Sequence, residues 1–569
     1  MEPRDRYYRR LKRFMPRASE VSDESMRAHA EYMAQIRRSI PWQKEIPEDI
    51  FETYALPMHV NDEPVVPCAN LFGKRLLPLI EGLSLRESAL AVNYWCTENV
   101  AYRFNDAPTA DALTVFKRGH GRCGEETVFA ALALRSVGVP ARQVYARRWS
   151  HCDDNHAWVE VYADGGWHYM GACEAEPALD RGWFTNAASK AMLICCQADA
   201  ELVGDEVISA YGKRMLLNVT PNYADCVTLE VSASVRSGHV AGARIDIQIA
   251  NYCSFQTVAS VVTGSDGCAR IRLGKGTVYL FAASGTGFTF AEVNTNTVDR
   301  VELRLDCPIA DGAYRFTQAV PAGRAAKEPF VYTPADIERA RTAAMAYRRA
   351  HPPVDCEAWA YPPPDEITGE CRLKCNLSFK PENRVNIGIE RFENGAFRQL
   401  DLRGRDFGAL ALPAGRYRIN ACARQIDGVL SINSSVVTLC RSGLEARLDL
   451  PPLQFGGKLY SYQMPEPFNR QCAIICFAED DSEPVQHIKN ELKNCRALMD
   501  GMGIEAVIVN VGRIPGANTL LRRIRTGLNV GDERLPLTAA VYRGLGLFAY
   551  ANYHVGAVKN LMEVIKAVR

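Results

Sequence analysis

Apolar positions along the chain change period several times, and each change marks a different kind of element. Ser22 to Ile40, opened by Ser22-Asp23-Glu24, reads as a helix, and prolines 57, 64 and 67 break the pattern after it. Leu76 to Tyr102 is helical, with Leu83, Leu85, Ala89 and Leu90 on one side before Trp95. Val128, Phe129, Ala131, Leu132, Leu134 and Val137 predict a helix packed on one or both sides. Strands follow at Ala141 to Tyr145, Ala157 to Tyr162 and Trp167 to Met170, the last two joined by a turn at Gly165-Gly166. From about Leu216 the period becomes two: 227–235, 243–249 and 269–273 alternate, with turns at 265–267 and 274–276. A second alternating region runs from Arg372 to Leu450. Between the two lie a helix, Pro334 to His351, and prolines 352, 353 and 362 to 364, which predict a semi-rigid linker. Beyond Gln471 strand and helix alternate: strands at 471–478, 504–511 and 537–541, helices from Pro484 to Met502 and from His554 to Val568.

At 569 residues the chain exceeds one hydrophobic core. The pattern predicts a helical N-terminal region (1–75), an α+β core (76–210), a β-sandwich (215–306), a linker with a helix (307–370), a second β-sandwich (371–452) and a C-terminal α/β domain (455–569). No internal repeat is evident.

Charge narrows the function. The 67 basic and 66 acidic residues nearly cancel, whereas a nucleic-acid footprint needs a concentrated basic surface. Only the first seventeen residues are rich in arginine, and a solvated helix accounts for them. That segment has no apolar stretch like that of a signal peptide, and no run of apolar residues is long enough to span a membrane. The 19 cysteines are odd in number and without a regular framework, which predicts reduced thiols in a cytoplasmic protein. Neither the Cys371/Cys375 pair nor Cys195-Cys196 has a second ligand pair at zinc spacing, so no metal and no cofactor is expected.

The candidate chemistry lies in Gly121-Arg122-Cys123-Gly124-Glu125-Glu126 and Asn155-His156-Ala157-Trp158-Val159-Glu160. A cysteine in the first turn of a helix meets the positive end of the helix dipole, which favours thiolate. A histidine at the start of a strand supplies the other half of a thiolate–imidazolium pair. With Arg135-Ser136-Val137-Gly138-Val139-Pro140-Ala141-Arg142 between them, these motifs resemble the transglutaminase-like superfamily, a branch of the papain-like cysteine enzymes. The resemblance covers roughly residues 85 to 195. It implies a papain-like fold for the core, Cys123 as nucleophile, His156 as general base, and an aspartate after the next strand to orient the imidazole.

That aspartate is missing. The family pattern of Trp, three residues, then Asp-Pro meets Gly171 here, after Trp167-His168-Tyr169-Met170. Glu174 is the expected replacement; Asp153 and Asp154 are alternatives, although residues so near His156 in a strand point away from its ring. Cys173-Glu174-Ala175-Glu176 is similar to the Asp-Pro-Cys-Glu segment of peptide N-glycanases. Trp149 to Ile194 resembles large bacterial transglutaminase-like proteins carrying Gly-Ala-Cys-Glu-x-Glu-Pro. Backbone N–H groups at the helix start, with Tyr102 as a candidate side-chain donor, would hold an oxyanion. The β regions resemble immunoglobulin-like or carboxypeptidase-regulatory-like sandwiches. The C-terminal part resembles a thioredoxin-like domain, with Pro536 at the cis-proline position and Glu479-Asp480-Asp481-Ser482 where the CxxC would stand.

These resemblances imply cysteine-dependent acyl transfer at an amide of a protein, peptide or glycopeptide, with hydrolysis favoured over transfer to an amine. Transglutamination and N-glycanase-like deglycosylation are the alternatives. The competing class is a non-catalytic scaffold, which the missing aspartate and the missing CxxC both favour.

Overall fold

The structure is a computed structural model that describes residues 2–569 except 16–17, 106, 199–205, 286, 325–332, 351–362, 378–384, 403–404, 408–409, 427, 441–443, 449–457, 480–481, 532–533 and 553. The helix Asp23–Ser39 starts at Ser22, whose side chain accepts from the Ser25 N–H. Helix α1, Leu85–Asn99, starts with a reciprocal cap in which Ser84 and Glu87 each accept the other's backbone N–H. Helix α2, Cys123–Ser136, is enclosed on every side: Gly124 to Ser136 are all buried. Such a helix is stable only inside a core. It packs between α1 and an antiparallel sheet built from β1 (Ala141–Ala146), β2 (His156–Ala163), β3 (Gly166–Met170), β4 (Cys195–Ala198), β5 (Glu206–Tyr211) and β6 (Arg214–Asn218). The strand order is β3-β2-β1-β4-β6-β5. Two buried polar groups fix this arrangement. Arg142 on β1 donates to Glu160 on β2 at 2.7 Å, and Tyr223 donates to the same carboxylate at 2.6 Å.

The period-two region forms two four-stranded sheets around one core. One centres on Cys226–Val235; the other has the order Ser254–Val262, Arg244–Asn251, Thr277–Ser284, Gly287–Asn294. Leu229, Val231, Ile245, Ile247, Ile271 and Leu280 meet between them. The second alternating region forms a five-stranded and a three-stranded sheet. Gly312–Gln318, in the stretch expected to be a linker, is a strand of the five-stranded sheet, paired with Leu430–Leu439. Its Phe316 packs edge-on against Phe255 and Phe290 of the preceding unit, an aromatic contact that the local pattern does not reveal. The linker helix forms at Pro334–Ala350; prolines 352, 353 and 362 lie outside the described residues. A disulfide joins Cys253 to Cys422 across the two β units, an exception to the expectation of reduced thiols. No described helix is long and apolar enough to cross a membrane.

The C-terminal sheet contains β7 (Cys472–Ala478), β8 (Glu505–Asn510), β9 (Leu537–Tyr542) and β10 (Leu545–Ala551), in the order β10-β9-β7-β8 with Tyr462–Gln463 at the β10 edge. Only β7 and β8 run parallel. Ile474 and Cys476 face one core, Ile475 and Phe477 the other, so β7 is buried on both sides as its continuous apolar run requires. Helix α3, Glu483–Asn494, and helix α4, Ala557–Val568, line one face. The Leu535–Pro536 peptide is cis. Asp480 and Asp481, at the position compared with a CxxC, lie outside the described residues.

This domain docks on the α+β core. Gln486 donates to the Tyr102 carbonyl at 2.7 Å, Arg534 pairs with Glu176 at 2.6 Å, and Asn552 donates to the Trp183 carbonyl.

Candidate active site

Cys123 is the first residue of α2 and His156 the first residue of β2, so a buried helix and its adjacent strand present the two side chains to each other. Their reacting atoms and a carboxylate oxygen of Glu483 all lie within 4.8 Å of one another. Glu483 opens α3 of the C-terminal domain. Its Oε2 is 3.4 Å from His156 Nδ1, with the two side chains 4% and 3% exposed. That is ion-pair distance, yet neither nitrogen of His156 makes a well-directed hydrogen bond among the described residues. Trp183, Phe184 and Trp158 enclose the imidazole, with centroids at 4.4, 5.1 and 5.9 Å.

The pair belongs to a buried network. Glu483 Oε1 lies 3.6 Å from His487 Nε2, which lies 3.7 Å from Asp154 Oδ2. Burial opposes ionisation of Glu483, but His156 and His487 overcome it and hold the carboxyl at about 2. Burial likewise opposes the charge on His487, whose pKa is nevertheless raised by Glu483 and Asp154. Burial lifts Asp154 to about 6 against the pull of His487. Glu126, one turn into α2, is pushed well up by burial and by the charges of Glu483 and Glu174.

Cys123 differs from the expectation of an acidic thiol. Burial and the Glu483 charge push it well up, and the Ala157 N–H at its sulfur opposes them. Cys123 as a residue is partly buried, while the side chains of His156 and Glu483 are buried.

Glu174 is not brought to His156. Asn93 on α1 holds its turn by donating to the carbonyls of Gly171 and Glu174 at 3.0 and 2.6 Å and accepting from the Cys173 N–H at 3.0 Å. The Glu174 carboxyl folds back over Gly171, where a Cβ would lie 1.8 Å from Oε2, and Oε1 accepts from Trp183 Nε1 at 2.6 Å. It thus fills the space that a side chain at 171 would begin in. Burial raises it to about 8, against the Trp183 hydrogen bond, so it is mostly protonated at neutral pH. Asp153 pairs with Arg424 at 2.8 Å, and Asp154 turns to His487. Tyr102 stacks beside His487, with centroids 6.2 Å apart. Burial and the charges of Glu483 and Cys123 push its phenol well up, so it keeps its proton as a donor.

Sequence reasoning missed Glu483. The only local sign is Ser482-Glu483-Pro484, which reads fully as an ordinary helix start. Thiolate, imidazole and carboxylate are also the donor types that zinc takes, and Cys123, His156 and Glu483 are the described residues that could hold such an ion.

Cys123 and His156 both lie in the stretch that matches a family model. Residues 81–172 match the family model described as the transglutaminase-like superfamily, and this stretch is a transglutaminase-like domain. Among solved structures, the chain is similar to a candidate cysteine protease from Cytophaga hutchinsonii, with 17% identity, 32% of this chain and 67% of that one covered, and a TM-score of 0.19. It is similar to red sea bream transglutaminase at 9% identity, covering 72% and 80% with a TM-score of 0.23. A third, described as a TGase, has 16% identity, 26% and 38% coverage and a TM-score of 0.16. No curated protein matches the chain.

Proposed function

We propose that the protein is a cysteine hydrolase acting on an amide bond of a peptide or related substrate. His156 takes the Cys123 thiol proton, and the sulfur attacks the amide carbonyl carbon. The resulting oxyanion lies at the start of α2, where backbone N–H groups lack intrahelical partners; Tyr102 is a further donor. On collapse the C–N bond breaks, His156 protonates the leaving amine, and a thioacyl-enzyme remains. Water, deprotonated by His156, then releases the acid and returns the thiol. An amine in place of water would make the same intermediate a transglutaminase. We favour water because no amine site is recognisable among the described residues.

The observation that carries this reading is the convergence of Cys123 and His156 inside an aromatic enclosure, within a domain of a superfamily of cysteine enzymes. We read the C-terminal domain as a thioredoxin-like fold without redox chemistry and the β units as sandwiches that frame the cleft. The test is peptide-resolved alkylation of Cys123 by iodoacetamide across pH. His156→Ala should slow it strongly at neutral pH and leave the other cysteines unchanged. Equal rates with and without His156 would favour a non-catalytic scaffold.

A further inference from the structure

We propose that Glu483 is the positioning carboxylate for His156, supplied by the C-terminal domain, so that the Cys123–His156 pair is competent only while that domain is docked. This rests on the reading of Cys123 and His156 as nucleophile and base.

Among the described residues of the core, no carboxylate forms an ion pair with His156. Position 171 is glycine, the Glu174 carboxyl is turned to Trp183 and protonated, and Asp153 and Asp154 face Arg424 and His487. Glu483 has the geometry that the role demands: its Oε2 lies 3.4 Å from His156 Nδ1, and both side chains are buried. An anion beside an imidazolium stabilises it, although the same charge opposes a lone thiolate. Its position is fixed by the dock: three residues on in α3, Gln486 is tied to the Tyr102 carbonyl, while Arg534 and Asn552 hold Glu176 and Trp183. The other titratable groups around the pair are His487, Asp154, Glu126 and Tyr102; Asp154 also feels the charge of His156, but its ion-pair contact is with His487.

The experiment uses the full chain, with folding checked by circular dichroism. Iodoacetamide alkylation of Cys123 is followed by peptide mass spectrometry against pH for wild type, Glu483→Gln, Glu483→Asp, Glu174→Gln and His156→Ala. Glu483→Gln should slow Cys123 at neutral pH by about tenfold or more, as expected on losing an opposite charge beside the imidazolium. It should also move the acid limb of the profile to lower pH. Glu483→Asp should restore part of the rate, a recovery that a merely space-filling role would not give, and Glu174→Gln should match wild type. An unchanged rate in Glu483→Gln beside a slow His156→Ala overturns the positioning role and spares the Cys–His reading. A faster Cys123 in Glu483→Gln also overturns it, because α3 would then be a block. Insensitivity to His156→Ala removes both.

Discussion

Replacing Glu174 by glutamine should stabilise the protein, and increasingly so as pH rises. The carboxyl has its pKa raised from 4.5 to about 8 in the folded state by burial. Between those values the folded state holds a proton that the unfolded state has released, so wild-type stability falls as pH increases through that window. Below about pH 4 both states are protonated and the group contributes nothing. At about 1.4 kcal/mol for each tenfold difference in proton affinity, the cost reaches at most about 5 kcal/mol above pH 8 and roughly half of that near pH 6. Glutamine keeps an oxygen for the Trp183 N–H, which now donates to Oε1 at 2.6 Å, and carries no ionisation to suppress. Unfolding should be compared by thermal melts followed by tryptophan fluorescence at pH 4, 6 and 8.5, using the transition that includes the core. The variant and wild type should coincide at pH 4, and the variant should melt several degrees higher at pH 8.5. A constant difference across the three pH values, or a variant less stable at pH 8.5, would refute the claim that a buried neutral acid sits here.

Two further outcomes follow from the same geometry. Gly171→Asp alone should destabilise by about 1–3 kcal/mol through overpacking, because its Cβ would lie 1.8 Å from Glu174 Oε2. Adding Glu174→Ala should recover most of that loss, as a double-mutant cycle in urea would read. Zinc should slow Cys123 alkylation by engaging the thiolate, His156 and Glu483, whose donor atoms already lie within 4.8 Å. EDTA should reverse the effect, and Glu483→Gln should raise the zinc concentration required.

How far the sequence reaches depends on the range of the interactions involved. The apolar surroundings of Val128 and Phe129, the cap at Ser22 and the alternation of 227–235 are local patterns, and each appears as the element it predicts. Cys123 and His156 were legible because each opens its own element beside an apolar run. The strand Gly312–Gln318 was not, since its reason for being extended is a partner at Leu430–Leu439 and a ring contact with Phe255. Glu483 fails for the same reason in a sharper form. Its role is set by the docking of one domain on another, and its local context is satisfied entirely by starting α3. Glu174 was expected at Nδ1 of His156, but the indole of Trp183 and burial decide its charge and direction, over Gly171 instead.

A covalent acyl intermediate on Cys123, formed with the help of His156, is read most directly by intact-protein and peptide mass spectrometry after rapid mixing with p-nitrophenyl acetate. One acetyl group should appear on Cys123 within the first turnover, be lost again on further incubation, be absent in Cys123→Ala and be strongly delayed in His156→Ala. Acetylation spread over the exposed Cys307 and Cys440 with Cys123 unmodified, or labelling of Cys123 at the same rate without His156, would contradict it.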